Sequence, residues 1–287
     1  MIVKAEKQSI YNGVFVSENE QIGCFNNRAF LYGDAVFETL RVRNRDILFF
    51  EEHLSRLVSA MKVLKYDIPE KFTVFKSKLE TEIISLLNRN KIFKAARVRI
   101  TVFRKQGGFY TPQTNEPEYV ISAYELDEEF FVLNNKGFNI SVFDEIKKPI
   151  NIFSPYKTGN SLIFTLAGIH KNSIAADDCI ILNENGQIAE SISSNIFIVR
   201  DKVLLTPPLS SGCINGIIRK FIIDTAYGNN IKFAEENISE KDLLQAEEVF
   251  LTNSVSGIRW VVAYKHKRYF KRLSVFFTEK LNEYILK

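Results

Sequence analysis

Lys157, Glu190 and the segment 205–219 are the places in this sequence where residue type and spacing point to chemistry. Lys157 sits in Ser-Pro-Tyr-Lys-Thr-Gly-Asn, just ahead of an apolar run that reads as a helix over 157–176. A helix N-terminus is the wrong end for a cation. Desolvation and the positive terminus would both lower the lysine pKa toward the neutral amine that adds to carbonyl groups. Taken alone, the same residue is an ordinary solvated lysine near a helix start. Glu190, in Gln-Ile-Ala-Glu-Ser-Ile-Ser-Ser-Asn-Ile-Phe, interrupts a stretch that otherwise reads as a buried strand; an edge-strand carboxylate facing water gives the same pattern. In 205–219, Leu-Thr-Pro-Pro-Leu-Ser-Ser-Gly-Cys-Ile-Asn-Gly-Ile-Ile-Arg, the prolines stop a strand and a glycine-containing turn leads into a helix near Asn215. First-turn N–H groups lie unpaired at the positive end of the helix dipole and suit a phosphate, although most helix starts bind only water or a cap.

What is scarce narrows the choice. Cys24, Cys179 and Cys213 are far apart, with no Cys-x-x-Cys, and His53, His170 and His266 stand alone without metal-ligand spacing. No Gly-x-Ser-x-Gly elbow accompanies the histidines. A metal held by the protein is not expected, and an organic cofactor is the expected carrier of any reaction.

The elements that must position these residues follow from periodicity. Residues 1–16 read as strands about a turn at Asn12-Gly13, and 35–42 as a strand with 47–50 as its hairpin partner. Leu54, Leu57, Val58, Met61 and Leu64 give a helix over 53–65 one apolar face. A second helix is expected over 70–87 with Phe72, Phe75, Leu79, Ile83 and Leu86 inward. Residues 94–103 alternate Arg97, Arg99 and Thr101 against Val98, Ile100 and Val102, a half-buried strand partnered by 119–124. After an acidic then polar stretch come strands at 138–143, 179–182, 188–199 and 203–205, a helix over 215–226, strands at 249–252 and 258–262, and a closing helix over 273–286. The expected organisation is α+β: a small N-terminal α/β domain over 1–124, a linker over 125–136 and a larger C-terminal domain over 137–287.

Composition agrees with an ordinary globular enzyme. The chain has 287 residues, 46% hydrophobic and 25% charged, with 38 Lys plus Arg against 34 Asp plus Glu, so the formal charge is +4. That excess is too small and too dispersed for a nucleic-acid partner. No run approaches a membrane span, and residues 1–10 lack the apolar core of a signal peptide. A cytoplasmic protein acting on a small molecule is expected.

The order Tyr-Gly-Asp-Ala-Val-Phe-Glu-Thr-Leu-Arg (32–41), Leu-Phe-Phe-Glu-Glu-His-Leu-Ser-Arg-Leu (48–57), Tyr-Lys-Thr-Gly-Asn (156–160), Ala-Glu-Ser-Ile-Ser-Ser-Asn-Ile-Phe (189–197), Asn-Gly-Ile-Ile-Arg (215–219) and Leu-Thr-Asn-Ser-Val-Ser-Gly-Ile (251–258) resembles the class IV pyridoxal-phosphate aminotransferases. That family includes branched-chain aminotransferases, D-amino-acid aminotransferases and aminodeoxychorismate lyases. The resemblance implies fold type IV, with a small N-terminal α/β sandwich and a larger C-terminal pseudo-barrel, and a homodimer. It makes Lys157 the lysine that binds pyridoxal 5'-phosphate covalently and later carries the substrate proton. Glu190 falls where the family places the carboxylate facing the pyridine nitrogen, and Arg56 on the phosphate-binding arginine. Ile217, Ile218, Asn253 and Ser254 match the remaining phosphate contacts, Ser193 a further cofactor position, and Ile214 the apolar residue against the cofactor ring.

The subtype turns on departures from the family patterns. The Arg-Pro of branched-chain enzymes is missing from Arg97-Val98-Arg99-Ile100-Thr101, and the Arg-x-His of D-amino-acid enzymes is absent from 104–112. The Gly107-Gly108-Phe109-Tyr110 stretch is similar to that of aminodeoxychorismate lyases. The broadest expectation is an amino acid:2-oxo acid transaminase of branched-chain type. The alternative is a lyase that forms 4-aminobenzoate and pyruvate, and a non-catalytic cofactor-binding protein is a remote third. Arg99 or Arg104 is expected to bind a substrate carboxylate, with Phe37 and Tyr110 as pocket walls; each arginine reads equally well as a strand-face residue and each aromatic as core.

Overall fold

A computed structural model describes residues 7–19 and 25–286. Cys24 and residues 1–6, to which the first expected strand extends, lie outside the described residues. The chain divides into two units, the described part of Met1–Glu129 together with Tyr156–Asn160, and Phe130–Pro155 with Ser161–Lys287 up to residue 286.

In the first unit, β1 (Gln8–Tyr11) and β2 (Val14–Ser17) form a hairpin. Its turn residues, Asn12 at φ 48° and Gly13 at φ 86°, both take the positive φ that such a hairpin needs. The chain continues through α1 (Arg28–Tyr32), β3 (Ala35–Arg43), β4 (Asp46–Ile47), α2 (Phe50–Val63), α3 (Lys76–Arg89), β5 (Ala95–Arg104) and β6 (Pro117–Glu125). The strands make a fully antiparallel sheet in the order β2-β1-β6-β5-β3-β4. Val36, Leu40 and Val42 of β3, with Val98, Ile100 and Val102 of β5, share a core with Leu54, Leu57 and Met61 of α2 and Leu79, Ile83 and Leu86 of α3. Strand alternation puts Phe37, Thr39, Arg41, Arg97, Arg99 and Thr101 on the opposite face.

Two helix expectations change. The helix expected over 70–87 is a single 3-10 turn at Glu70–Phe72 followed by α3, and Phe75, expected inward, lies at the break and is exposed. The helix expected from Lys157 begins only at Leu162. Tyr156–Asn160 instead runs beside β3: the Phe37 N–H donates to the Lys157 carbonyl at 2.9 Å, the Gly159 N–H to the Ala35 carbonyl at 2.8 Å, and Thr158 bridges Val36. Local apolar spacing did not reveal this because β3 supplies the hydrogen bonds that a first helical turn would otherwise leave unmade.

The second unit comprises β7 (Phe138–Lys148), α4 (Leu162–Ser173), β8 (Asp178–Asn183), β9 (Ile188–Ser191), β10 (Asn195–Arg200), β11 (Val203–Thr206), α5 (Ile217–Gly228), β12 (Phe233–Glu235), α6 (Glu240–Gln245), β13 (Glu248–Asn253), β14 (Gly257–Tyr264), β15 (Lys267–Arg268) and α7 (Leu273–Tyr284). Its mixed sheet runs β12-β11-β10-β13-β14-β7-β8-β9, with β15 paired to β14. β8 is buried along its whole length and β10 nearly so, which explains their almost continuous apolar sequence. Ile180, Ile196, Ile198, Val249, Leu251 and Val261 form one core, and Phe197 stacks on Phe250, which contacts Phe277 of α7. The fold is α+β, and among the described residues no helix is long and apolar enough to cross a membrane.

Candidate active site

The first unit places Lys157 against β3, and the glycines of the two motifs explain how it fits. A side chain on Gly159 would come 2.7 Å from the Gly33 carbonyl oxygen, and Gly33 itself takes φ 65° to end α1. Tyr-Gly-Asp and Tyr-Lys-Thr-Gly-Asn therefore pack backbone against backbone, which only glycine permits here. The half-buried Lys157 side chain points its ammonium at the Phe37 ring, 5.5 Å from the centroid, and the Arg99 guanidinium lies 3.6 Å from the same centroid. Both cations are drawn to the negative face of an aromatic ring. Arg99 Nε also donates to Thr101 Oγ1 at 3.0 Å.

One residue along β3 and on its other face, Glu38 is buried among apolar side chains. Arg56 of α2 clamps it bidentately, Nε to Oε1 and Nη2 to Oε2, both at 2.7 Å, and His53 Nδ1 lies 2.7 Å from Oε2. Burial alone would raise the Glu38 pKa, but the charges and hydrogen bonds of Arg56 and His53 outweigh it and hold the carboxyl at about 2. Burial pushes the His53 pKa down against the pull of Glu38, with Arg56 and Lys157 adding to the fall. A neutral His53 donates from Nδ1 to the carboxylate, which leaves Nε2 buried with no partner among the described residues. The sequence gives Glu38 no role and leaves His53 a lone histidine, yet both lie inside the quoted motifs. The spacing His53-x-x-Arg56 puts the two on one helix face.

Arg104 and Tyr110 have other surroundings. Arg104 is buried and engaged by Asp34 at 2.9 Å, Asn115 at 2.5 Å and the Leu64 carbonyl at 2.6 Å, with its guanidinium over Tyr66. It ties β5 to the segment after α2, and these donors are engaged within the chain. Arg28 pairs with Asp34 and donates to the carbonyls of Gly107, Gly108 and Phe109, fixing the loop that holds Tyr110. Tyr110 is 90% exposed and touches Tyr32.

In the second unit, Glu190 lies on β9, the last strand of the sheet order, and is only 2% exposed. The water-facing alternative does not hold, because Ile188 of the same strand pairs with Ile238 and covers that edge. Lys148, at the end of β7, forms an ion pair with Glu190 Oε1, and the Ile214 N–H donates to Oε2 at 3.1 Å. An ionised carboxylate has about four lone-pair positions, so two remain for another donor. The Ile214 carbonyl accepts from Asn195 at 2.7 Å.

Asn195 pairs across the sheet with Thr252. Asn253 donates to Ser194 at 3.0 Å and accepts from the N–H groups of Val255 and Ser256. Its side chain thus builds the turn that carries the half-buried Ser254, while Ser193 is exposed in the bend between β9 and β10. Glu190, Ile214, Asn195, Ser194 and Asn253 form one connected set. Ile217 and Ile218 are buried in the first turn of α5.

This set fits a phosphate-bearing group. The α5 N-terminus has no side-chain cap, whereas α6 has a capping box and the Glu248 carboxylate accepts three N–H groups at the start of α7. A side chain at Gly216 would strike Asn195 Oδ1, so the approach to these N–H groups is kept narrow and bare. Thr252 Oγ1 is buried without a partner among the described residues. Unmet donors at a helix start suit an anion.

Residues 35–264 match the family model described as amino-transferase class IV. A putative branched-chain-amino-acid aminotransferase of Methanocaldococcus jannaschii is 29% identical over 250 residues, covering 86% of this chain and 84% of that protein. An aminodeoxychorismate lyase of Bacillus subtilis is 28% identical over 253 residues, covering 86% and 83%. Among solved structures, a branched-chain aminotransferase from Thermoproteus uzoniensis with norvaline superposes with a TM-score of 0.86 at 21% identity, covering 98% of this chain and 95% of that one. The chain belongs to the class IV amino-transferases, an enzyme family whose members work with pyridoxal phosphate.

Proposed function

We propose that the protein is a pyridoxal 5'-phosphate-dependent amino acid:2-oxo acid transaminase of branched-chain type, a homodimer of the cytoplasm. The observation that carries this reading is the placement of Lys157 and Arg99 on one ring, that of Phe37. An amine able to take a proton stands beside a planar guanidinium matched to a carboxylate, the pair of groups an α-amino acid calls for.

When bound, the cofactor supplies an electron sink for bond breaking at the substrate Cα. The chain's own residues do the rest. Lys157 Nζ anchors the cofactor, then accepts the Cα proton and returns it. Arg99 holds the substrate carboxylate and Phe37 forms the wall behind it. Arg56, the N–H groups of Ile217 and Ile218, Asn253 through its turn, and Ser254 bind the phosphate, with Ser193 beside them. Ile214 would pack on the cofactor ring, and Glu190, steadied by Lys148 and the Ile214 N–H, would serve as the acidic partner of the ring nitrogen.

The lyase reading is favoured by one feature, the Gly107-Gly108-Phe109-Tyr110 loop, whose glycines take φ 121° and 72° and whose carbonyls Arg28 holds. The deciding experiment offers cofactor-loaded protein leucine or D-alanine with 2-oxoglutarate and, separately, aminodeoxychorismate. Keto acid formation supports the transaminase. Release of pyruvate with 4-aminobenzoate replaces it with the lyase, and protein that stays colourless with pyridoxal phosphate rejects both. Light scattering should return twice the chain mass; a monomer would overturn the dimer.

A further inference from the structure

Residues 265–272 read Lys-His-Lys-Arg-Tyr-Phe-Lys-Arg, five cations in eight residues with no acidic residue among them. Of the 38 Lys plus Arg, 33 then lie elsewhere, against 34 Asp plus Glu, so the positive excess that reads as dispersed over the whole sequence sits in this one segment. The fold pins the backbone here and turns the charges outward. Lys265 and His266 make the turn between β14 and β15. The Tyr269 N–H donates to the Val262 carbonyl at 3.0 Å, its hydroxyl to the Leu243 carbonyl at 2.7 Å, and the Phe270 N–H to the Glu247 carbonyl at 2.9 Å. Tyr269 is buried, whereas Lys265, Arg268, Phe270, Lys271 and Arg272 are exposed. Lys265 pairs with Glu240 at 3.2 Å; among the described residues Lys267, Arg268, Lys271 and Arg272 form no ion pair. Arg268 donates instead to the carbonyls of Lys265 and Lys267. Lys271 and Arg272 stand at the N-terminal end of α7, the end that disfavours cations, and the Glu248 carboxylate there is engaged by the N–H groups of Arg272, Leu273 and Ser274.

Clustered like charge works against a folded chain, and a partner that supplies the missing anions would relieve it. We propose that this face docks on an anionic phospholipid surface, with Lys267, Arg268, Lys271 and Arg272 among the headgroup phosphates and the Phe270 ring in the apolar boundary beneath them. Clusters of about four to eight Lys and Arg bind such surfaces. A nucleic-acid strand is the other polyanion that such charge attracts, and the rings disfavour it. Trp260 is covered by Gly137 and by Lys271, 5.0 Å from its centroid, and Arg272 lies 5.4 Å from the centroid of Phe270. Bases stack on open ring faces. A bilayer surface requires only an exposed apolar group among the cations, and Phe270 is 63% exposed. None of these residues has a part in the proposed reaction, so the docking face stands apart from it.

Trp260 is the one tryptophan of the chain, and its Nε1 donates to the Phe270 carbonyl at 2.8 Å, so tryptophan fluorescence reports on this face alone. The full chain, loaded with cofactor, should bind vesicles of phosphatidylserine and phosphatidylcholine in equal parts at least about a hundredfold more tightly than vesicles of phosphatidylcholine, about fivefold for each of three engaged cations. Its emission should move to shorter wavelength as water leaves the ring. Raising the salt from about 0.1 M to about 1 M should release it, because the screening length falls from about 10 Å to about 3 Å. Replacing Lys267 and Arg268 together by Gln should weaken binding about twenty-five-fold with an unchanged melting curve, Lys267→Arg with Arg268→Lys should keep it, and Phe270→Ser should weaken it about tenfold. Failure to bind the mixed vesicles, equal binding to both kinds, full binding by the double Gln variant, or binding that leaves the emission unmoved overturns the proposal. Tight binding to a single-stranded oligonucleotide with none to the mixed vesicles overturns it in favour of the nucleic-acid strand.

Discussion

Lys157→Ala should lower turnover by about ten-thousand-fold, the upper range for loss of a positioned acid–base group, and should abolish the visible absorbance that wild type gains with pyridoxal phosphate. The substitution removes the amine and little else. Lys157 is held in place by its backbone, through the Phe37 N–H and the neighbouring Gly159 N–H, and both bonds survive loss of the side chain. Its half-buried butyl chain contributes modest packing, so the change in stability should stay within about 1 kcal/mol. The variant should give an unchanged circular dichroism spectrum and melting curve. After borohydride treatment of loaded wild type, the added cofactor mass should map to the peptide containing Lys157; finding it on another lysine would remove Lys157 from the role assigned to it.

Glu38→Gln should cost about 3 kcal/mol, the lower end for breaking a buried ion pair from one side, because the variant removes the carboxylate that the buried Arg56 clamps. It should also change how stability depends on pH. The carboxyl titrates at about 2 in the folded chain against its usual 4.5, so the unfolded chain binds the extra proton between those values and stability falls as pH drops through that window. His53 acts in the same direction from higher pH. Its folded pKa lies below the usual 6.5, so the unfolded chain protonates first and stability begins to fall as pH drops below that value. Wild type should therefore lose stability in two stages on acidification, and Glu38→Gln should lack the lower one. Urea melts from pH 7 to pH 3 would show it.

A second readout bears on function. If Glu38 orients Arg56 for a phosphate, Glu38→Gln should weaken binding of pyridoxal 5'-phosphate more than that of pyridoxal, by about tenfold in the ratio. Equal loss for both would assign Glu38 to stability alone.

Much of the candidate site was legible because its residues sit in short local signals. Asn12-Gly13 announced a hairpin, the alternation of 94–103 announced β5, and the proline-stopped strand followed by Asn-Gly announced the uncapped start of α5. Glu190 stands out because it puts a charge in an otherwise apolar stretch, and Lys157 because it puts a cation just ahead of an apolar run. Periodicity misplaced Lys157 relative to its helix, since the partner that orders Tyr156–Asn160 is β3, more than a hundred residues earlier in the chain. The two glycines that allow the approach, Gly33 and Gly159, are separated in the same way.

The sequence by itself determined the family and the α+β class, and it singled out Lys157, Glu190 and the start of α5 as candidates, because these are set by residue type and local spacing. Only the tertiary structure decided which arginine is available. Arg99 and Arg104 lie on one strand and read alike, but five positions apart they leave opposite faces. One meets Asp34 and Asn115 in a buried clamp, and the other meets an aromatic ring beside Lys157. It also decided that Glu190 is buried on an edge strand, covered by Ile238. The availability of a charge depends on what the rest of the chain brings to within a few ångströms of it, and pairings across fifty or a hundred residues leave no trace in local spacing.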